Sequence, residues 1–233
     1  MRDAAIVLLT LNEIEGLRAL WDRIPRDSFR ECFAVDGGST DGTVAFLEAH
    51  GVPVVTQPIR GRGVAFRVAA EASSAERLVF FSPDGNEDPE DIARLDDLLL
   101  AGAQLAIARR FGPGAVNEED GEVLRLRARV NDTLSRVANA LFHEGPRVHD
   151  TINGFRALRR ADLLALDTTV KRFPIEYQIT LRAMQRGWSI AELPTREGAR
   201  IGGERKAASW PVGRDHLVVL ATELARAKLL RSA

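Results

Sequence analysis

The 233-residue sequence predicts an α/β fold, a mostly parallel sheet with helices on both faces. Two observations carry that expectation. Short apolar runs alternate with helix-periodic segments through the first half, joined by short links. Hydrophobic residues make up 45% and charged residues 28%, ordinary for a globular protein and too apolar for disorder. One domain is expected at this length.

Residues 4–10 (AAIVLLT) form the first strand, and Ile14, Leu17, Leu20 and Trp21 follow at helical spacing. The second strand, 32–36, ends in the turn Gly37-Gly38-Ser39, after which Ser39 or Thr40 would cap a helix carrying Ala45, Phe46 and Leu47. The third strand is 52–57, followed by a glycine-rich turn and an alanine-rich helix over 64–73. The fourth is 77–82, broken by Pro83, and Pro89 opens a helix over 90–100. Residues 104–109 make the fifth. The second half is less regular. It reads as a polar loop over 111–122, an amphipathic helix over 123–142, a helix over 175–186, a strand over 190–194 and a basic loop over 196–206. Gly198, Gly202 and Gly203 predict that this loop is mobile until a ligand orders it. A tail helix spans 212–230.

Composition excludes several classes. Lys+Arg 32 against Asp+Glu 33 gives a net charge of -1, so nothing global points to nucleic acid. The single cysteine, Cys32, permits neither an intrachain disulfide nor a cysteine-based zinc site and predicts a reducing, cytoplasmic setting. The longest uncharged stretch, 98–108, is about half of the roughly 20 residues a membrane span needs. The apolar start is too short for a secretory signal.

Residues that can do chemistry collect where strands end: Thr10, Asn12 and Glu13, then Asp36, then Ser82, Asp84 and Asn86, then Arg109 and Arg110. In a parallel sheet those ends share one edge. Carboxylates, an amide and arginines together suit a phosphorylated ligand held through a divalent metal. Each also has a plainer reading: Asp36-Gly-Gly-Ser as a tight turn, Asp84-Gly85-Asn86 as another, residues 84–97 as a solvated acidic face, any one arginine as a surface ion pair. Gly61-Arg62-Gly63 starts like a dinucleotide fingerprint, but Phe66 holds the third glycine position and the turn follows the third strand. A Rossmann cofactor site is therefore not expected.

In order along the chain, Thr10-Leu-Asn-Glu13, Val35-Asp-Gly-Gly-Ser-Thr-Asp-Gly-Thr43 and Gly61-Arg-Gly63 resemble the nucleotide-binding half of family 2 glycosyltransferases with the GT-A fold. Asp150-Thr-Ile-Asn-Gly-Phe-Arg156, Glu192-Leu-Pro194 and Arg200-Ile-Gly-Gly-Glu-Arg-Lys206 resemble their polyprenol-phosphate (dolichol-phosphate) mannosyltransferase branch. The resemblance spans residues 4–206. It implies a single GT-A domain with a nucleotide-sugar half (1–110), an acceptor half (111–210) and a tail helix (211–233).

The implied reaction moves a sugar from a nucleoside-diphosphate sugar, of the GDP-mannose or UDP-glucose type, to a polyprenyl phosphate with Mg or Mn as cofactor. Two alternatives stay open. One is a soluble hydroxyl acceptor, for which Asp150 would be the base; the other is a degenerate nucleotide-sugar-binding protein. By resemblance, Asp36 with Gly37 holds the base or ribose, and Thr10, Asn12 and Glu13 form the first nucleotide loop. Arg62 and Gly63 lie beside the nucleotide. Asp84 is catalytic and, with Asn86, binds metal. Arg109, Arg110, Arg156, Arg200, Arg205 and Lys206 face phosphate or acceptor. Glu13 could equally be only a helix N-terminal charge, and Glu176 could bind a ligand or only an arginine.

Three positions depart from the family pattern: Ser82 replaces the first aspartate of the metal motif, Gly37 a second base-side aspartate, and Arg205 a serine. The tail helix, with Leu217, Leu220, Leu224 and Ala227 on one face and Arg214, Arg226, Lys228 and Arg231 nearby, would lie on the inner face of an anionic membrane, pack on the domain or form a homodimer contact.

Overall fold

Strand β1 (Arg2–Thr10) is buried from Ala4 onward on both sides of the sheet, which is why it reads as an unbroken apolar run rather than an alternating one. Ala5, Val7 and Leu9 join one core and Ala4, Ile6 and Leu8 the other. The computed structural model describes residues 1–117, 126–201 and 209–232. Around β1 lie β2 (Phe29–Asp36), β3 (Val54–Thr56), β4 (Arg77–Phe81), β5 (Leu105–Arg109), β6 (Arg156–Arg159) and β7 (Ile190–Pro194). They form one seven-stranded sheet in the order β3-β2-β1-β4-β6-β5-β7. All neighbours are parallel except β6, which runs antiparallel to both β4 and β5.

Helices α1 (Ile14–Leu20), α2 (Thr43–Ala49) and α4 (Asp91–Leu100) cover one face through Leu17, Leu20, Leu47, Ile92, Leu95 and Leu99. Helices α3 (Arg62–Ala72), α5 (Leu126–Phe142), α6 (Arg160–Ala165), α7 (Ile175–Gln185) and α8 (Ser209–Ser232) cover the other. The expected architecture is present, a mostly parallel sheet flanked by helices. Strand β6 and helix α6 are additions to it.

Two local expectations change. Helix α2 is entered through Gly42 in the left-handed region (φ 97), not through a Ser39 or Thr40 cap. The side chain serving that end is Asp41, which accepts from the Thr43 amide at 3.0 Å and its hydroxyl at 2.6 Å. The tail helix packs on α7 and α5. It turns His216, Val219 and Glu223 inward and leaves Leu217 60% exposed, so its buried face is rotated from the Leu217–Leu224 stripe. Among the described residues no helix is long and apolar enough to cross a membrane.

Candidate active site

The carboxyl ends of β1, β2, β4, β5 and β7 share one edge of the sheet. Because β6 runs the other way, its entry brings residues 150–155 to that same edge.

The first two strand ends are knitted together. Asp36, 1% exposed, accepts from Thr10 and Ser39 hydroxyls and from the Gly38 and Ser39 amides. Those four donors match the acceptor capacity of a carboxylate. Asp36 thus builds the turn, and a nucleotide could reach it only by displacing a donor. Asn12 takes positive φ (54), receives the Thr40 amide at 2.8 Å and gives its own amide to Ser39 at 2.8 Å. Gly37 donates to the Thr10 carbonyl at 2.9 Å.

Past β4 the chain turns sharply. Gly85 has φ +96, and a Cβ there would stand 2.6 Å from Ile201, so both conformation and space require glycine. Asp84 accepts from the Asn86 amide at 3.1 Å and from Arg200 Nη1 at 2.7 Å. Arg200 Nη2 reaches both Glu13 oxygens, at 3.0 and 3.1 Å. The strap carrying Arg200 is laid on the 84–86 turn: Gly198 N donates to Asn86 O at 3.0 Å and Ile201 N to Asp84 O at 2.8 Å, while Asn86 Nδ2 donates to Gly198 O at 3.1 Å. Its first half is thus tied to the turn by the protein's own bonds. Arg205 and Lys206 lie outside the described residues.

Where the usual first aspartate would sit, Ser82 Oγ accepts from Arg62 Nη1 at 3.3 Å, and Arg62 Nε donates to Glu176. Ser82 N donates to Glu87 at 2.6 Å. Burial, and then the charge of Asp84, push the Glu87 carboxyl up to about 8. Sequence reasoning missed Glu87 as a site residue.

Gly63 is explained by packing. Its Cβ would meet the Val170 carbonyl oxygen at 2.0 Å, and that of Gly61 the Lys171 oxygen at 2.2 Å. The pair lets residues 170–171 lie against the start of α3, a packing reason for glycine at both positions.

Three acceptor-side expectations are also corrected. Asp150 is fully buried and held by Arg110, through Nε at 2.8 Å, Nη2 at 3.1 Å and the amide at 3.1 Å. Burial alone would raise its carboxyl, but the charge and hydrogen bonds of Arg110 outweigh that and hold it low. It is a counter-ion and cannot serve as an exposed base, and Arg110 is correspondingly engaged. Arg156 is fully buried, bonded to the carbonyls of Asn153 and Glu176 and to the Thr180 hydroxyl, and burial brings it down to about 10. It ties the 150–156 motif to α7. Arg109 folds back onto the carbonyls of Phe111 and Pro113. Glu192, from the Glu-Leu-Pro motif, accepts the His149 and Asp150 amides at 2.8 and 2.9 Å and so sets the height of this wall.

The donor set tolerates a hard divalent cation in one way only. Among the described residues no three His, Cys, Asp or Glu side chains gather as a ready-made metal cage. One carboxylate, Asp84, with the neutral oxygens of Asn86 and Ser82, suits an ion that keeps its water and shares substrate phosphates. The guanidinium of Arg200 shows that a cation is attracted there.

Comparisons with known proteins place the chain in a family and a fold. Residues 5–166 match the Glycosyl transferase family 2 model. The chain is 31% identical over 195 residues to glycosyltransferase AglJ of Haloferax volcanii, covering 83% of this chain and 62%, less than two thirds, of that protein. It is 30% identical over 205 residues to polyprenol monophosphomannose synthase of Mycolicibacterium smegmatis, covering 81% and 75% of the two chains. In fold it is similar to glucosyl-3-phosphoglycerate synthase from Mycobacterium tuberculosis, solved with Mn2+, uridine-diphosphate and glucosyl-3-phosphoglycerate, with a TM-score of 0.73 at 23% identity over 96% of this chain and 80% of that one.

Proposed function

The chain belongs to glycosyl transferase family 2, and from that premise we propose that it moves a sugar from a nucleoside-diphosphate sugar, of the GDP-mannose or UDP-glucose type, onto a polyprenyl phosphate. The observation that carries the acceptor class is the Arg110–Asp150 pair. With Asp150 sealed against an arginine, the carboxylate suggested as a base for a hydroxyl acceptor is unavailable. A phosphate acceptor arrives already ionised and needs no base. The name of the Mycolicibacterium smegmatis relative supports the same acceptor. The fold neighbour, solved with glucosyl-3-phosphoglycerate, keeps a soluble phosphorylated acceptor as the second reading.

In this reading Asp84 and Asn86 would hold a divalent cation, Mg or Mn, which when bound would supply positive charge for the leaving diphosphate. The knitted 10–13 and 36–43 loops seat the nucleoside, with Asp36 keeping the turn in shape. Arg62, braced by Glu176, and Arg200 present cationic edges to the phosphates. The tail helix, with Leu217, Val218 and Leu229 exposed beside Arg214 and Lys228, would rest on the cytoplasmic face of an anionic membrane.

The test is transfer from radiolabelled sugar nucleotide to added polyprenyl phosphate, read by partition between organic and aqueous phases. Label in the organic phase is expected, with Asp84→Ala slower by about a hundred- to thousandfold across a metal titration. Label confined to a water-soluble product supports the second reading. Nucleotide binding without turnover would leave a degenerate binding protein.

A further inference from the structure

Arg200 joins two carboxylates delivered by different strands, Asp84 past β4 and Glu13 past β1. The three side chains are 21%, 17% and 6% exposed, so the cluster is largely withdrawn from water. The strap beneath it is fastened to the 84–86 turn by main-chain bonds on either side of Arg200, at Gly198 and Ile201. Ser82 supplies no charge to this site. A single guanidinium therefore takes up the one carboxylate of the Asp84, Asn86 and Ser82 donor set.

We propose that Arg200 is the resident cation of the Asp84 site, so that a divalent ion and this guanidinium compete for the same carboxylate. An ion reaching Asp84 Oδ2 must displace Nη1 from 2.7 Å. Two cations sharing one monoanionic group repel, and the low exposure weakens solvent screening of that repulsion. A diphosphate entering with the ion changes the balance, because its oxygens offer the displaced guanidinium a new bidentate partner. The ion alone therefore binds weakly, and ion and diphosphate bind with positive coupling, each making room for the other.

This inference rests on the reading of Asp84 as the metal ligand, and the experiment separates the two. Mn2+ binding is measured by the loss of its free-ion paramagnetic resonance signal, with no sugar nucleotide or acceptor present. The proteins are the wild-type chain, Arg200→Gln, Glu13→Gln and Asp84→Asn, each checked for an unchanged melting profile. Arg200→Gln is expected to bind Mn2+ about fivefold more tightly than wild type, the scale of losing one competing ion pair. Glu13→Gln loosens Arg200 but also removes a carboxylate that draws a cation, so it should change the affinity by less than Arg200→Gln does. Adding inorganic pyrophosphate, read as protein-bound Mn2+ against a protein-free Mn2+–pyrophosphate control, should tighten Mn2+ binding strongly in wild type and less in Arg200→Gln. If Arg200→Gln binds Mn2+ no better than wild type while Asp84→Asn abolishes binding, competition is overturned and the metal reading stands. If Asp84→Asn binds Mn2+ as wild type does, both fall.

Discussion

Replacing Asp150 by Asn removes the nearer of two carboxylates against which Arg110 is buried, leaving Glu197 at 3.6 Å, so the loss stays below the roughly 3–5 kcal/mol of stranding a buried charge outright. The pH dependence has a definite sign. A carboxyl held low in the folded state contributes stability that is present above its unfolded value and lost as pH falls through the folded one. Wild-type melting temperature is expected to drop on acidification below about pH 4, and Asp150→Asn to start lower with a shallower acid limb. Equal slopes in the two proteins would remove Asp150 from the acid response. That Asp84 and Asn86 lie at the same edge as the other strand ends is legible in the sequence, because polar types past parallel strands converge there, whereas Arg200 is reached only through the resemblance of its loop motif. Glu87 is not legible. Within the acidic run 84–97 nothing sets it apart, and only the fold puts its carboxyl, half-buried, on the Ser82 amide.

Among the elements, α8 carries a buried polar anchor to α7. Glu223, fully buried, accepts from Gln178 Nε2 at 2.7 Å and from Arg182 Nε at 2.9 Å, both on α7. Glu223→Ala should leave the Arg182 guanidinium with only the Leu166 and Asp167 carbonyls and no counter-ion, and release α8 first. Hydrogen exchange is expected to show α8 amides losing protection while β1 and β4 keep theirs. Unchanged protection would mean that apolar contacts such as Val219 hold the helix alone. The sequence shows that a tail helix exists, but not which face is inward, because a polar residue leads the buried stripe. Strand β6 is hidden for another reason. Four residues, Arg-Ala-Leu-Arg, are too few to display a period, and regular strand–helix alternation gives no sign of a strand inserted backwards.

For the whole molecule, β6 means that the two halves of the chain share one sheet. Its residues pair with β4 through Leu158 to Leu78 and with β5 through Leu158 to Leu105. A fragment of residues 1–110 would present β4 and β5 with nothing between them, and it is expected to be insoluble or molten. Two-state melting of that fragment near the full-length temperature would show the halves to be independent. The same seam has a history during synthesis. At roughly 5–20 residues per second, β5 leaves the ribosome several seconds before β6 exists. Through that interval β4 and β5, which point the same way, can zip directly to each other, the very neighbour relation that simple alternation suggests. The nascent chain thus passes through a window in which a plausible but wrong sheet competes with the final one, and β6 must arrive as a wedge. Arrest-peptide measurements along translation should register a folding force only after residue 159 has emerged; an earlier, full-strength signal would mean that the first half closes its own sheet.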